Sequence, residues 1–130
     1  MTKAIVFPGQ GSQSVGMLSE LYEASAVVKT TFKEASDALG YDMWALVSED
    51  SSEQLNKTEF TQPALLTCSV AIWRDYIAKG GELPAYLAGH SLGEYSALVC
   101  AEVISLADAV LLVQKRGQYM QQAVPAGTGA

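Results

Sequence analysis

The run Gly89-His90-Ser91-Leu92-Gly93 has the residue types and spacing for nucleophilic chemistry. It reads G-x-S-x-G, the pattern that sets a serine on a sharp strand-to-helix turn. A serine hydroxyl is a weak nucleophile until geometry helps it. On such a turn the Oγ of Ser91 projects out of the fold, and the backbone N–H of Leu92 points at the same reaction centre. One short segment then supplies an attacking atom and half of an oxyanion hole. The same pattern fits a plain glycine-bounded turn that happens to hold a serine, so the flanking elements decide. Residues 83–88 form a short apolar run between Gly80-Gly81 and Gly89, which suits a buried strand. Residues 92–101 are rich in Leu, Ala, Val and Glu, which suits a helix. Strand, turn and helix therefore occur in the required order. Side chains at Gly89 and Gly93 would crowd the junction, and a strained backbone angle at the serine costs about 1–3 kcal/mol.

A second oxyanion donor must come from another loop. Active sites in open α/β sheets gather at the carboxyl ends of strands, and Gly9-Gln10-Gly11 follows the first strand directly. The rival reading of this loop, a phosphate cradle, fails on detail. A dinucleotide fingerprint needs a third glycine where Ser14 stands, and the G-K-[ST] of a Walker loop is absent. His90 is the only histidine and adjoins Ser91. Sequence neighbours on extended backbone point to opposite sides, so His90 is expected to support the site rather than act as the general base. Arg116 lies between Lys115 and Gly117 on the last helix. It reads either as a solvated surface cation or as a forked donor for a carboxylate.

The elements that must position these residues are those of an α/β layered fold. The chain has 130 residues, about one domain, and is 49% apolar, enough for a packed core. Ala4-Ile5-Val6-Phe7 reads as a buried first strand and is too short for a signal-peptide core. No run of about 18 apolar residues is present, and a cytoplasmic location is expected. A net charge of −6 argues against nucleic acid and anionic membranes as partners. Cys68 and Cys100 sit in apolar helical context and read as buried reduced thiols; two cysteines and one histidine give no metal-ligand spacing.

Helical patterning begins near Leu18, with Val28, Phe32, Ala35 and Leu39 on one face and Gly40 as the stop. Ser51 and Gln54 read as a capping box for a short helix. Pro63 falls in the expected first turn of a helix that runs to Ala78, apolar on nearly all sides up to Trp73. Ser105 and Asp108 cap a last helix whose core face is Val110, Val113, Gly117 and Met120, ending at Val124-Pro125. Two strands do not make a stable parallel sheet, and residues 125–130 read as a connection, so an incomplete chain is expected.

Four motifs together resemble those of the bacterial malonyl-CoA:acyl-carrier-protein transacylases, the malonyltransferases of type II fatty acid synthesis. They are Phe7-Pro8-Gly9-Gln10-Gly11-Ser12-Gln13, Thr61-Gln62-Pro63-Ala64, Gly89-His90-Ser91-Leu92-Gly93-Glu94-Tyr95 and Arg116-Gly117. The resemblance implies an α/β-hydrolase-like core of parallel strands flanked by helices. Residues 1–130 would be the N-terminal part of the large subdomain, with a ferredoxin-like small subdomain after them. It implies that Ser91 becomes malonylated and that Leu92 and Gln10 supply the oxyanion N–H groups. Arg116 would pair with the malonyl carboxylate, and His90, Gly89, Gly93 and Gln62 would support the site. The implied partners are malonyl-CoA and acyl carrier protein, with CoA and phosphopantetheine as substrate carriers and no tightly bound cofactor. In this family the base is a histidine far downstream, so residues 1–130 alone are expected to turn over little. A serine hydrolase such as a thioesterase, a polyketide-synthase acyltransferase domain and a noncatalytic scaffold remain the alternatives.

Overall fold

Parallel pairing of two short strands organises the chain. Strand β1 (Ala4–Phe7) lies beside β2 (Tyr86–Gly89), with Ala4 opposite Tyr86 and Phe7 opposite Gly89. The computed structural model describes residues 4–11 and 13–123. Ser12 of the glycine-rich loop, the N-terminal residues 1–3 and the expected helix end and connection at 124–130 lie outside the described residues. Parallel strands need a long crossover. Here it holds α1 (Ser19–Ala24), α2 (Ala26–Leu39), α3 (Met43–Ser48) and α4 (Thr58–Ala78), and β2 is followed by α5 (Gly93–Cys100) and α6 (Leu106–Ala123).

Helix α4 is the axis of this arrangement. Its residues from Thr61 to Ala71 are all buried, as its all-round apolar sequence demands, and α2 and α6 both pack on it. One side of α4 shares a core with Phe7, Leu92, Val110 and Val113, and the other with Val28, Phe32 and Met43.

Several expectations change at the boundaries. The helix expected from Leu18 breaks at Ser25, whose backbone is extended. Its Oγ accepts the N–H of Val28 and donates to Asp75 Oδ1, a cap that starts a new helix. Gly40 ends that helix in the left-handed region, φ 82°, and Leu39 is half-buried where the pattern put it in the core. The short helix is α3, capped by Asp42, and not one capped by Ser51. Asp50 Oδ1 takes the N–H groups of Gln54 and Leu55 and holds 51–57 as turns. Helix α4 begins five residues before Pro63, so the proline lies inside it. Neither strand is buried as expected: Val6 is 68% exposed and Tyr86 65%. Among the described residues the helices cover one face of the pair, and the strand sequence alone does not reveal that. The expected strand at 83–88 starts only at Tyr86. Met120 is half-exposed, not core.

Cys68 and Cys100 are free and buried, and burial pushes both thiols up to about 12. Ser105 Oγ accepts the N–H of Asp108 and caps α6 as expected.

The tie between α2 and α4 is sensitive to pH. Lys79 Nζ donates to Asp75 at 2.8 Å and Ser25 Oγ donates at 2.8 Å, and together they hold this carboxyl below its ordinary value. A lowered folded pKa means that the stabilisation is complete above the unfolded value, about 3.9. It is lost as pH falls through the folded value. Asp75→Asn should therefore lower the urea midpoint at pH 7, and its deficit against the parent protein should shrink at pH 3. An equal deficit at both pH values would show that the Asp75 charge is not the source.

Candidate active site

Only His90, Ser91 and Leu92 separate the end of β2 from the start of α5. The chain turns that sharply because Ser91 takes φ 55°, in the left-handed region. A non-glycine residue held there costs about 1–3 kcal/mol and persists only where its surroundings enforce it. Three main-chain hydrogen bonds do so. His90 donates to Phe7 at 3.1 Å, Gly93 to His90 at 3.0 Å and Glu94 to Ser91 at 3.1 Å. The turn is tight because a Cβ on Gly89 would overlap the backbone of Gly93, and one on Gly93 would overlap the Phe7 carbonyl. Glycine at both places is a steric requirement.

The turn leaves Ser91 exposed and buries Leu92, which is 1% exposed. Among the described residues the backbone N–H groups of Leu92 and Gln10 donate to no other group. Gln10 lies on the loop after β1, and its Nε2 donates to Thr58 Oγ1 at 2.9 Å, tying the loop to the first turn of α4. The His90 imidazole is exposed and has no hydrogen-bond partner among the described residues; this residue bonds through its main chain.

Arg116 reaches the turn from α6. A Cβ on Gly117 would lie 2.6 Å from Glu59 Cα and 2.7 Å from the Thr58 carbonyl oxygen, so only glycine lets α6 cross α4 this closely. The crossing carries the neighbouring Arg116 over the elbow. Its Nη1 donates to Gln62 Oε1 at 2.8 Å and its Nη2 to Ser91 Oγ at 3.1 Å. The guanidinium also lies over the Tyr95 ring, 5.5 Å from its centroid. Gln62 is fully buried, and its Nε2 donates to Met120 Sδ at 3.2 Å. No ion pair to Arg116 is found among the described residues.

Ser91, Gln62 and Arg116, drawn from three distant segments, thus form one hydrogen-bonded group. Tyr95 and Met120 belong to it, although sequence reasoning assigns Tyr95 no site role and puts Met120 on the core face of its helix. Their positions held the signal: Met120 is four residues after Arg116, one helical turn, and Tyr95 lies in the first turn of the helix that follows Ser91. Among the described residues no cluster of His, Cys, Asp and Glu could hold a metal ion. An exposed serine hydroxyl, two N–H groups near a strand end and a guanidinium with no ion pair among the described residues would suit attack on a carbonyl that carries an anion nearby.

The family model of the acyl transferase domain matches residues 4–130. The chain belongs to this family. The acyl transferase is 65% identical over 126 residues to the malonyl CoA-acyl carrier protein transacylase of Salmonella typhimurium, covering 97% of this chain and 41% of that protein. Two crystal or complex structures agree in fold. The acyl carrier protein S-malonyltransferase of Vibrio cholerae superposes with TM-score 0.91 at 68% identity, covering 96% of this chain and 41% of that one. A malonyl-transacylase in complex with its type II PKS acyl-carrier protein superposes with TM-score 0.93 at 61% identity, covering 98% and 41%. The chain spans about two fifths of the length of these relatives. The parallel strands flanked by helices are therefore this family's architecture. No described helix of the acyl transferase is long and apolar enough to cross a membrane.

The helix crossing gives a direct test. Gly117→Ala places a methyl group against the backbone of α4, which cannot yield as a side chain could. The variant should lose about 1–3 kcal/mol of stability, read as a lower denaturant midpoint. Its crystal structure should show Arg116 displaced from Ser91. Unchanged stability and an unchanged Arg116 position would refute this account of the crossing.

Proposed function

We propose that this acyl transferase, in its full-length form, moves a malonyl group from malonyl-CoA to the phosphopantetheine thiol of acyl carrier protein, in fatty acid biosynthesis. The observation that carries the reading is the Arg116 guanidinium, held by a neutral amide and placed on the hydroxyl of a left-handed elbow serine. A carboxylate is the natural partner for such a fork. Ser91 attacks the thioester carbonyl, the N–H groups of Leu92 and Gln10 stabilise the oxyanion, and CoA leaves. The carrier thiol then attacks the malonyl-serine. Gln62 positions Arg116, while Gly89, Gly93 and the main chain of His90 hold the elbow. On this reading residues 1–130 belong to the large subdomain. A ferredoxin-like subdomain and a histidine general base come from outside them, and the enzyme works in the cytoplasm without a tightly bound cofactor. The names of the similar proteins support malonyl transfer, and the relative solved with its carrier protein supports the partner.

The test uses the full-length protein and labelled malonyl-CoA. Label should attach to Ser91, survive in water and leave when a pantetheine thiol is added. Ser91→Ala should abolish labelling. Arg116→Ala should reduce the preference for malonyl-CoA over acetyl-CoA by about 10- to 100-fold, the worth of one charge-assisted hydrogen bond. Rapid release of malonate in water would instead identify a hydrolase.

A further inference from the structure

We propose that Arg116 restrains Ser91 through its hydrogen bond to Oγ and that a carboxylate, by taking the guanidinium away, frees the nucleophile. This deepens the reading above and rests on it. Selection for a carboxylate-bearing acyl group then acts on the acylation step as well as on binding.

The two arms of the guanidinium are held differently. Nη1 bonds at 2.8 Å to Gln62 Oε1, on a side chain that is fully buried and secured at its other end by Met120 Sδ. Nη2 bonds at 3.1 Å to Ser91 Oγ, on an exposed side chain. Nη1 is the anchor and Nη2 the arm that can move. The attraction of the Tyr95 ring, 5.5 Å from the guanidinium, is electrostatic and tolerates a small rotation about the Nη1 anchor.

The chemistry of acylation makes the contact with Oγ obstructive. In that step the Oγ–C bond forms as the C–S bond breaks, and the hydroxyl proton ends on the departing CoA sulfur. Oγ passes from a hydroxyl, a good acceptor, to an ester oxygen, a poor one. A donor fixed on Oγ therefore stabilises the ground state more than the transition state, which slows the reaction. A carboxylate is a stronger acceptor than a hydroxyl, because its bond to a guanidinium is charge-assisted. A thioester with a carboxylate one methylene beyond its carbonyl brings its own competitor for Nη2. A plain acyl thioester leaves the donor on the nucleophile.

The experiment separates this restraint from malonyl recognition by using a reagent without a carboxylate. Full-length protein is treated with phenylmethanesulfonyl fluoride, and the rate of Ser91 sulfonylation is followed by intact mass. In this reaction an O–S bond forms, fluoride leaves, and the hydroxyl proton passes to solvent. Formate, the smallest carboxylate, serves as the probe, with chloride at equal ionic strength as control. Formate should accelerate labelling of the parent protein about three- to tenfold, the worth of one hydrogen bond. Arg116→Gln should label that much faster without formate and should not respond to it. Labelling of the parent protein that ignores formate, or an Arg116→Gln variant that labels no faster than the parent, overturns the proposal. Circular dichroism of the variant checks its fold, and the formate arm needs no variant. Malonyl-CoA labelling of Ser91, measured in parallel, reports on the proposed function separately.

Discussion

The contact of Gly93 with the Phe7 carbonyl is the constraint from which the site follows. It joins the end of one strand to the first residue of the helix that leaves the other, with no room for a Cβ. Because Phe7 also stands opposite Gly89 in the parallel ladder, and Gly89 touches Gly93, three backbone segments meet within a few ångströms. The only way through so small a space is a single residue in the left-handed region, and that residue is Ser91. The strain there, about 1–3 kcal/mol, is small beside the burial of Phe7, Leu92 and Val99 in the core around it. The fold can therefore hold an exposed hydroxyl in a conformation that an isolated peptide would abandon.

The second constraint is electrical. Arg116 has a neutral amide and a hydroxyl as its partners, where a carboxylate would have been the stronger choice. Hydrogen bonds to a charged group contribute about 1.5–3 kcal/mol, so the guanidinium is held in place without being neutralised. A protein carboxylate there would quench the field that an incoming anion would feel. Gln62 suits the task because it is fully buried and satisfied at both ends, by Arg116 and by Met120. The positive charge is thus directed but left available, on a chain whose net charge is −6.

Periodicity and turn chemistry made much of this legible in the sequence. The α4 run, apolar on all sides, had to be buried, and the strand-turn-helix order around Ser91 had only one sharp solution. The local details were hidden where tertiary contacts override a local rule. Ser25 ends a helix because Asp75, fifty residues away, completes its hydrogen bonding. Pro63 sits inside α4, whose start is set five residues earlier, where Thr61 Oγ1 ties the first turn back to the carbonyls of Leu55 and of the N-cap Lys57. Strand burial was misread because apolar residues in a two-strand pair do not say which face a helix will cover. For the site, Arg116 stood open between two readings, since no pattern in one helix announces a partner on another. The neighbouring Gly117 was the clue, and its meaning depends on Thr58 and Glu59 lying across from it.

The two constraints lie on separate parts of the chain, and this division has a consequence for selectivity. The elbow depends on β1, β2 and α5. The cation depends on the crossing of α4 and α6, and meets the elbow at the Arg116–Ser91 hydrogen bond and at the Tyr95 ring. Changing what stands at Arg116 leaves every main-chain bond that strains Ser91 intact, whereas changing Gly93 would dismantle the turn that holds Ser91. The residue that faces the serine is therefore free to vary on α6 while the turn is fixed by backbone contact. On the proposed function, the Arg116–Ser91 bond is the point at which recognition of a carboxylate bears on the reactivity of the serine.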